Sequence, residues 1–176
     1  MHTIIIGDGL GRDVLSPELP FRESRQSVGR AEIERLLGRG KTFGEGPLPT
    51  FLREAAAARD RGVELVLVGP PEGFVDPLEE VARSATVIEG SDGALPGDAL
   101  LAHLGESGRD TEETRCLVVG CHTELRIAAL TALLRTMLGS PRIAVASHLV
   151  GSATPAAHFA ALRHAYHSAG VEVLLD

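Results

Sequence analysis

The sequence predicts a single three-layer, doubly wound α/β domain, and three observations carry that prediction. Short apolar runs alternate with helical patterns along most of the chain. The runs are apolar at consecutive positions, as in parallel strands covered on both faces, rather than at every second position. The length, 176 residues, fits one domain able to bury a core without disulfides or metal.

Taken in order, residues 3–6 (TIII) form the first strand, which ends at Gly7-Asp8-Gly9. An Ala-rich helix over 49–61 leads into a strand over 63–68 (VELVLV) that stops at Gly69-Pro70-Pro71. A helix over 77–83 precedes a short strand over 85–88, and a helix over 96–104 and a polar loop precede a strand over 116–119. The next helix spans 124–138, with Thr123 as its N-cap and Gly139 as its stop. A strand over 143–146, a helix over 155–169 and a strand over 171–175 complete the pattern. Thr154-Pro155 opens that last helix and Gly170 closes it. The expected sheet has six mostly parallel strands.

Residues 9–48 break the pattern. They hold Gly, Pro and Arg, with one weak helical stretch over 31–37. A loop of this length in a compact domain is usually functional or an interaction arm. It is expected to carry self-association or contact with a partner subunit. With no internal repeat and no linker, residues 1–176 read as one domain.

Composition excludes several classes. Net charge is −7, aromatics are 3%, and no basic stripe is present, which argues against nucleic-acid binding. No apolar run approaches the roughly 18–20 residues of a membrane span, and MHTIIIGDG lacks the basic region of a signal peptide. Sixteen Arg against one Lys, Lys41, with 20 Gly, fit GC-rich bacterial coding. The lone lysine also restricts any lysine-dependent mechanism. Cys116 and Cys121 form no zinc pattern. A reduced, cytoplasmic setting is expected, with no cofactor and no metal.

In such sheets ligands bind beyond the carboxyl ends of the strands, where strand order reverses. If the first strand neighbours the strand over 116–119, three segments converge there: Gly7-Asp8-Gly9, Glu89-Gly90-Ser91-Asp92 and Gly120-Cys121-His122-Thr123. A phosphate loop is a poor match for the first of them. The dinucleotide fingerprint needs Gly where Arg12 stands, no helix clearly starts there, and the second strand ends in Gly69 rather than an acid.

The stretches LVVGCHTELRIAALTALL, RIAVASHLVGSATPAAHFAAL and SAGVEVLL resemble the second half of the isochorismatase-like superfamily, the Rossmann-like fold of cysteine amidohydrolases such as nicotinamidase and of isochorismatase itself. Gly120, Thr123, Glu124, His158 and Gly170 fall on that pattern. TIIIGDG resembles the family's first strand, whose catalytic Asp matches Asp8, and ATVIEGSDGALPGDALLAHL resembles its third strand, loop and short helix. The likeness is weak over residues 10–48.

The departures say more than the matches. The family's lysine aligns with Glu89 and its nucleophilic cysteine with Arg126, so its triad reads Asp8–Glu89–Arg126 here. The metal cluster of nicotinamidases, an Asp and two His after the second strand, has no counterpart, because GPPEGFVDP over 69–77 holds no His. The resemblance also implies a non-proline cis peptide, which by position would be Cys121–His122. Ordinary cysteine-amidase activity is therefore expected to be absent.

A cation at the third position of a helix opposes the helix dipole by about 0.3–1 kcal/mol, and turned inward it also needs a partner. Asp8 and Glu89 are the expected partners of Arg126. Three readings stand. Arg126 plugs a defunct pocket with an internal salt bridge, its fork holds a substrate carboxylate or phosphate, or it points to solvent and the alignment is off by a residue. Asp8 is the candidate acid/base, its pKa raised by burial or by Glu89. The resemblance implies that isochorismatases use this Asp as a proton donor without the cysteine. Cys121 is either a thiolate at a helix N-terminus or a small loop residue under the helix. With His122 and Thr123 it would line the ligand. His103, His148, His164 and His167 show no ligand spacing, and Cys116 is expected in the core. Two functions follow: a divergent hydrolase or lyase acting on a small anionic metabolite, or a non-catalytic binding or assembly subunit.

Overall fold

The computed structural model describes residues 2–15, 28–39, 43–69, 73–90, 96–106, 114–138 and 142–175. Strands β1 (His2–Asp8), β2 (Val63–Gly69), β3 (Thr86–Glu89), β4 (Thr114–Cys121), β5 (Arg142–Gly151) and β6 (Glu172–Leu174) form one parallel sheet in the order β3-β2-β1-β4-β5-β6. Strand order reverses between β1 and β4, so the switch point lies beyond Asp8 and Gly120, which are register partners.

Each central strand feeds two cores. Ile5, Leu65, Leu67, Leu117 and Val119 face one side, while Ile4, Ile6, Val66, Val68, Cys116 and Val118 face the other. Helices α1 (Arg12–Leu15), α2 (Arg30–Leu37), α3 (Pro47–Ala57) and α4 (Asp76–Ala82) cover the first side. Helices α5 (Gly97–Glu106), α6 (Ala128–Leu138) and α7 (Pro155–Ser168) cover the second. This two-sided cover is why the strands read as continuous apolar runs.

The loop reading of residues 9–48 needs correction. The weak helical stretch is α2, an amphipathic helix whose Ile33, Leu36 and Leu37 are buried. Full burial of such side chains contributes about 1.5–3 kcal/mol each, so α2 belongs to the core. A helical turn, α1, starts at Arg12, where no helix was expected. Arg12 Nε donates to the Phe74 carbonyl at 2.7 Å, and Gly11 bridges to Phe74, so this end of the segment is tied to the strand-end loop of β2. Residues 16–27 and 40–42 lie outside the described residues.

The last helix starts as expected, with Thr154 Oγ1 accepting the Ala157 N–H at 3.1 Å, and Gly170 follows it at φ 63°. The preceding helix does not. Thr123 makes no cap; residues Thr123–Ile127 wind as a π-helical turn, with Ile127 N donating to His122 O at 3.1 Å, before α6 begins. No cis peptide occurs among the described residues, so the bond implied at Cys121–His122 is trans. The chain turns there because His122 adopts left-handed backbone angles, φ 64° and ψ 60°. A non-glycine residue in that region costs on the order of 1–3 kcal/mol, and such positions gather at functional sites, as π turns do.

Candidate active site at the strand-order switch point

Asp8 ends β1 fully buried. Its Oδ1 accepts the Gly9 N–H at 2.7 Å. Arg126 reaches in from the π turn: Nη2 donates to Asp8 Oδ1 at 2.8 Å, and Nε lies 3.2 and 3.3 Å from the two oxygens. The arginine side chain is 14% exposed and its carboxylate partner 0%. Among the described residues the guanidinium has no acceptor besides Asp8. Gly120 lets the Asp8 backbone of β1 pass close to β4. At φ 125°, a Cβ there would run into the Asp8 carbonyl.

Glu89 takes no part. It is exposed at the end of β3, and β2 stands between β3 and β1. At the usual strand spacing that sets the two strand ends about 9–10 Å apart. The expected acid pair of Asp8 and Glu89 is therefore not formed, and the expectation that Glu89 shares Arg126 is corrected; Ser91 and Asp92 lie outside the described residues.

Of the two readings of Cys121, its burial supports packing rather than a thiolate. It is fully buried in the core beneath α2 and α3, whereas Arg126 rises from the turn into α6, on the other side. Burial pushes its thiol well above the ordinary range, outweighing the nearby Arg35 charge, and Glu32, Asp8 and Glu124 push the same way. A thiol so held is a packing group rather than a nucleophile. Cys116 is likewise buried in the core, as expected.

Several neighbouring groups hydrogen-bond to one another. His122 and Thr123 are both buried. Thr123 Oγ1 donates to the Gly151 carbonyl at 3.0 Å and lies 3.3 Å from His158 Nδ1. The Glu124 carboxylate accepts from the Ser152 hydroxyl, from its own N–H and from the Ala153 N–H. Partial burial alone would raise its pKa; those hydrogen bonds and His122 outweigh it and hold it below the usual value. His158 is held below its ordinary pKa by burial and by Arg35. His164 is exposed on α7, while the side chain of His167 is outside the description. His103 is not isolated: its Nε2 lies 2.7 Å from Glu64 at the far end of the sheet. Sequence reasoning missed Ser152 and Arg35. The only signal for Arg35 was its place three residues after Glu32 on a helix assigned to an arm.

The family of the resemblance implies a metal beyond the second strand, and the residues present do not fit one. The Phe74 ring packs against Gly69. Asp76, the carboxylate of this segment among the described residues, lies 3.8 Å from Arg12. Among the described residues no group of three or more His, Cys, Asp or Glu is arranged to hold a metal ion.

This order of strands, with its crevice beyond β1 and β4, is the fold of the isochorismatase-like hydrolases. The particular likenesses span nearly whole chains. An isochorismatase-like hydrolase from Alkaliphilus metalliredigens superposes with a TM-score of 0.66 at 13% identity, covering 99% of this chain and 95% of that one. A pyrazinamidase from Pyrococcus horikoshii, solved in complex with zinc, gives 0.65 at 17% identity and 100% coverage of both. A nicotinamidase from Bacillus subtilis gives 0.64 at 16% identity, covering 98% of this chain and 99% of that one. No family model matches the sequence, and no curated protein does. No helix among the described residues is long and apolar enough to cross a membrane.

Proposed function

We propose that this chain is a divergent isochorismatase-like protein that binds a small anionic metabolite at Arg126, with Asp8 as the acid/base beside it. The supporting observation is the half-spent guanidinium. Arg126 gives one edge to Asp8, and among the described residues its other edge has no acceptor. A planar fork of this kind suits a carboxylate or phosphate. Cysteine-type amide hydrolysis does not belong to this reading, since Arg126 stands where the nucleophile would be.

A second reading has its own support. Asp8 and Arg126 neutralise each other in a buried site, and Cys121 is sealed in the core. A catalytically inactive subunit, working through binding or assembly, fits both features. Thermal shifts with phosphate, sulfate and benzoate separate the two. A ligand at ten times its Kd stabilises by about 1.4 kcal/mol. The binding reading expects that gain in the wild type and not in Arg126→Met. A large loss of stability in Arg126→Met with no anion response in the wild type would favour the plugged, inactive subunit.

A further inference from the structure

Away from the switch point, β5 bulges. β4 advances only from Val118 to Gly120 while β5 runs from Val145 to Val150. The edge strand β6 pairs with Ala144–Ala146 and stops where the bulge begins. Bulges bend a strand and re-aim its side chains, often beside a binding site. Here the bulge opens a cleft of about 800 Å³ between α2, β5, α7 and β6.

The floor of that cleft is built. Arg35 donates to the His148 and Val150 carbonyls at 2.9 and 2.7 Å, within and just after the bulge. It also meets both Glu32 oxygens, at 3.1 and 2.8 Å. Its charge is thereby matched. His158 supplies the polar point. Thr123 has one hydroxyl proton and gives it to Gly151, so the 3.3 Å contact with His158 Nδ1 is the ring donating to that oxygen. A neutral imidazole protonated on Nδ1 is an acceptor at Nε2, and among the described residues Nε2 has no protein partner. Phe159 stands edge-on to the ring, with centroids 5.4 Å apart, and is 69% exposed. Leu162, Val173 and Leu175 extend the apolar wall, and the exposed Arg163 of α7 also lines the cleft.

We infer that this cleft is a second ligand site, for a small neutral molecule with an aromatic or branched aliphatic body and one hydrogen-bond donor, a hydroxyl or amide N–H, that His158 Nε2 accepts. Sites of this size, mostly apolar with a few placed polar groups, are the usual form of small-molecule pockets. The site is separate from the Asp8–Arg126 crevice and does not depend on the function proposed for it.

The test uses NMR on the whole chain with three probes of one shape: p-cresol, toluene and benzoate, each at millimolar concentration. p-Cresol is expected to move the resonances of Phe159, Leu162, Val173 and the His158 ring, and toluene to bind roughly three to ten times more weakly, the worth of one hydrogen bond. His158→Phe keeps the ring and should erase the preference for p-cresol. Should that variant fail to fold, the exposed Phe159→Asp is expected to weaken p-cresol binding severalfold. The inference is overturned if no probe moves these resonances, if toluene or benzoate binds as well as p-cresol, or if the same resonances shift with protein concentration alone. That last result would assign the face to contact between copies.

Discussion

The switch-point crevice and the cleft behind the β5 bulge solve opposite problems. In the crevice, a cation and an anion are paired in a buried site through one edge of the guanidinium. In the cleft, Arg35 and Glu32 are matched along the floor, and His158 Nε2 is a neutral acceptor in a largely apolar lining that the exposed Arg163 also borders. The contrast teaches that a buried charge pair and an open, mostly apolar volume can sit on different parts of one scaffold.

The largest effect expected is on the crevice. Removing one member of a buried ion pair typically costs about 3–5 kcal/mol, so Arg126→Met should lower unfolding free energy by that amount in urea titration. A change below 1 kcal/mol would place the guanidinium in solvent. Next comes the support of the cleft. Leu36 on α2 is fully buried, and Leu36→Ala should cost about 2–5 kcal/mol. A neutral result would return residues 28–39 to the status of an arm. Smaller again is the helix start behind the cleft, where Thr154→Ala should cost about 1 kcal/mol through its lost cap.

Smallest and broadest is the response to acid. His158 has a lowered pKa when folded, so the folded chain binds fewer protons than the unfolded one below the ordinary value of 6.5. Its contribution is complete above that pH and is lost as pH falls through the window beneath it. Glu124, also lowered, loses its contribution as pH falls below 4.5 toward its folded value. His158→Phe should flatten the first of these slopes relative to wild type, and Glu124→Gln the second. Unchanged slopes would mean these groups are not held as described.

The sheet was legible because each of its strands but the short edge pieces is buried on both faces and so carries an unbroken apolar run. The last helix was legible because Thr154 and Gly170 are local signals. The start of α6 was not, since Thr123 turns its hydroxyl to Gly151, a contact across strands that no local pattern announces. Asp8 and Arg126 could be paired from sequence because both stand at the ends of neighbouring elements. Glu89 was drawn in wrongly, because strand order, which interposes β2, is a long-range property. For Cys121 the packing alternative was the legible one: it continues the alternation of Leu117 and Val119 on the same face of β4. α2 was underrated because Gly and Pro around it mask a short amphipathic helix whose burial comes from tertiary packing.

The central claim is that Arg126 is turned inward onto Asp8, and a double-mutant cycle tests it most directly. Unfolding free energies of wild type, Asp8→Asn, Arg126→Met and the double variant give the coupling between the two side chains. Groups in direct contact couple by about 0.5–3 kcal/mol, whereas independent sites add within about 0.3–0.5 kcal/mol. The pairing predicts a coupling near the top of that range, with the double variant recovering much of the stability lost in Arg126→Met, because no uncompensated charge remains. Losses that simply add would contradict it.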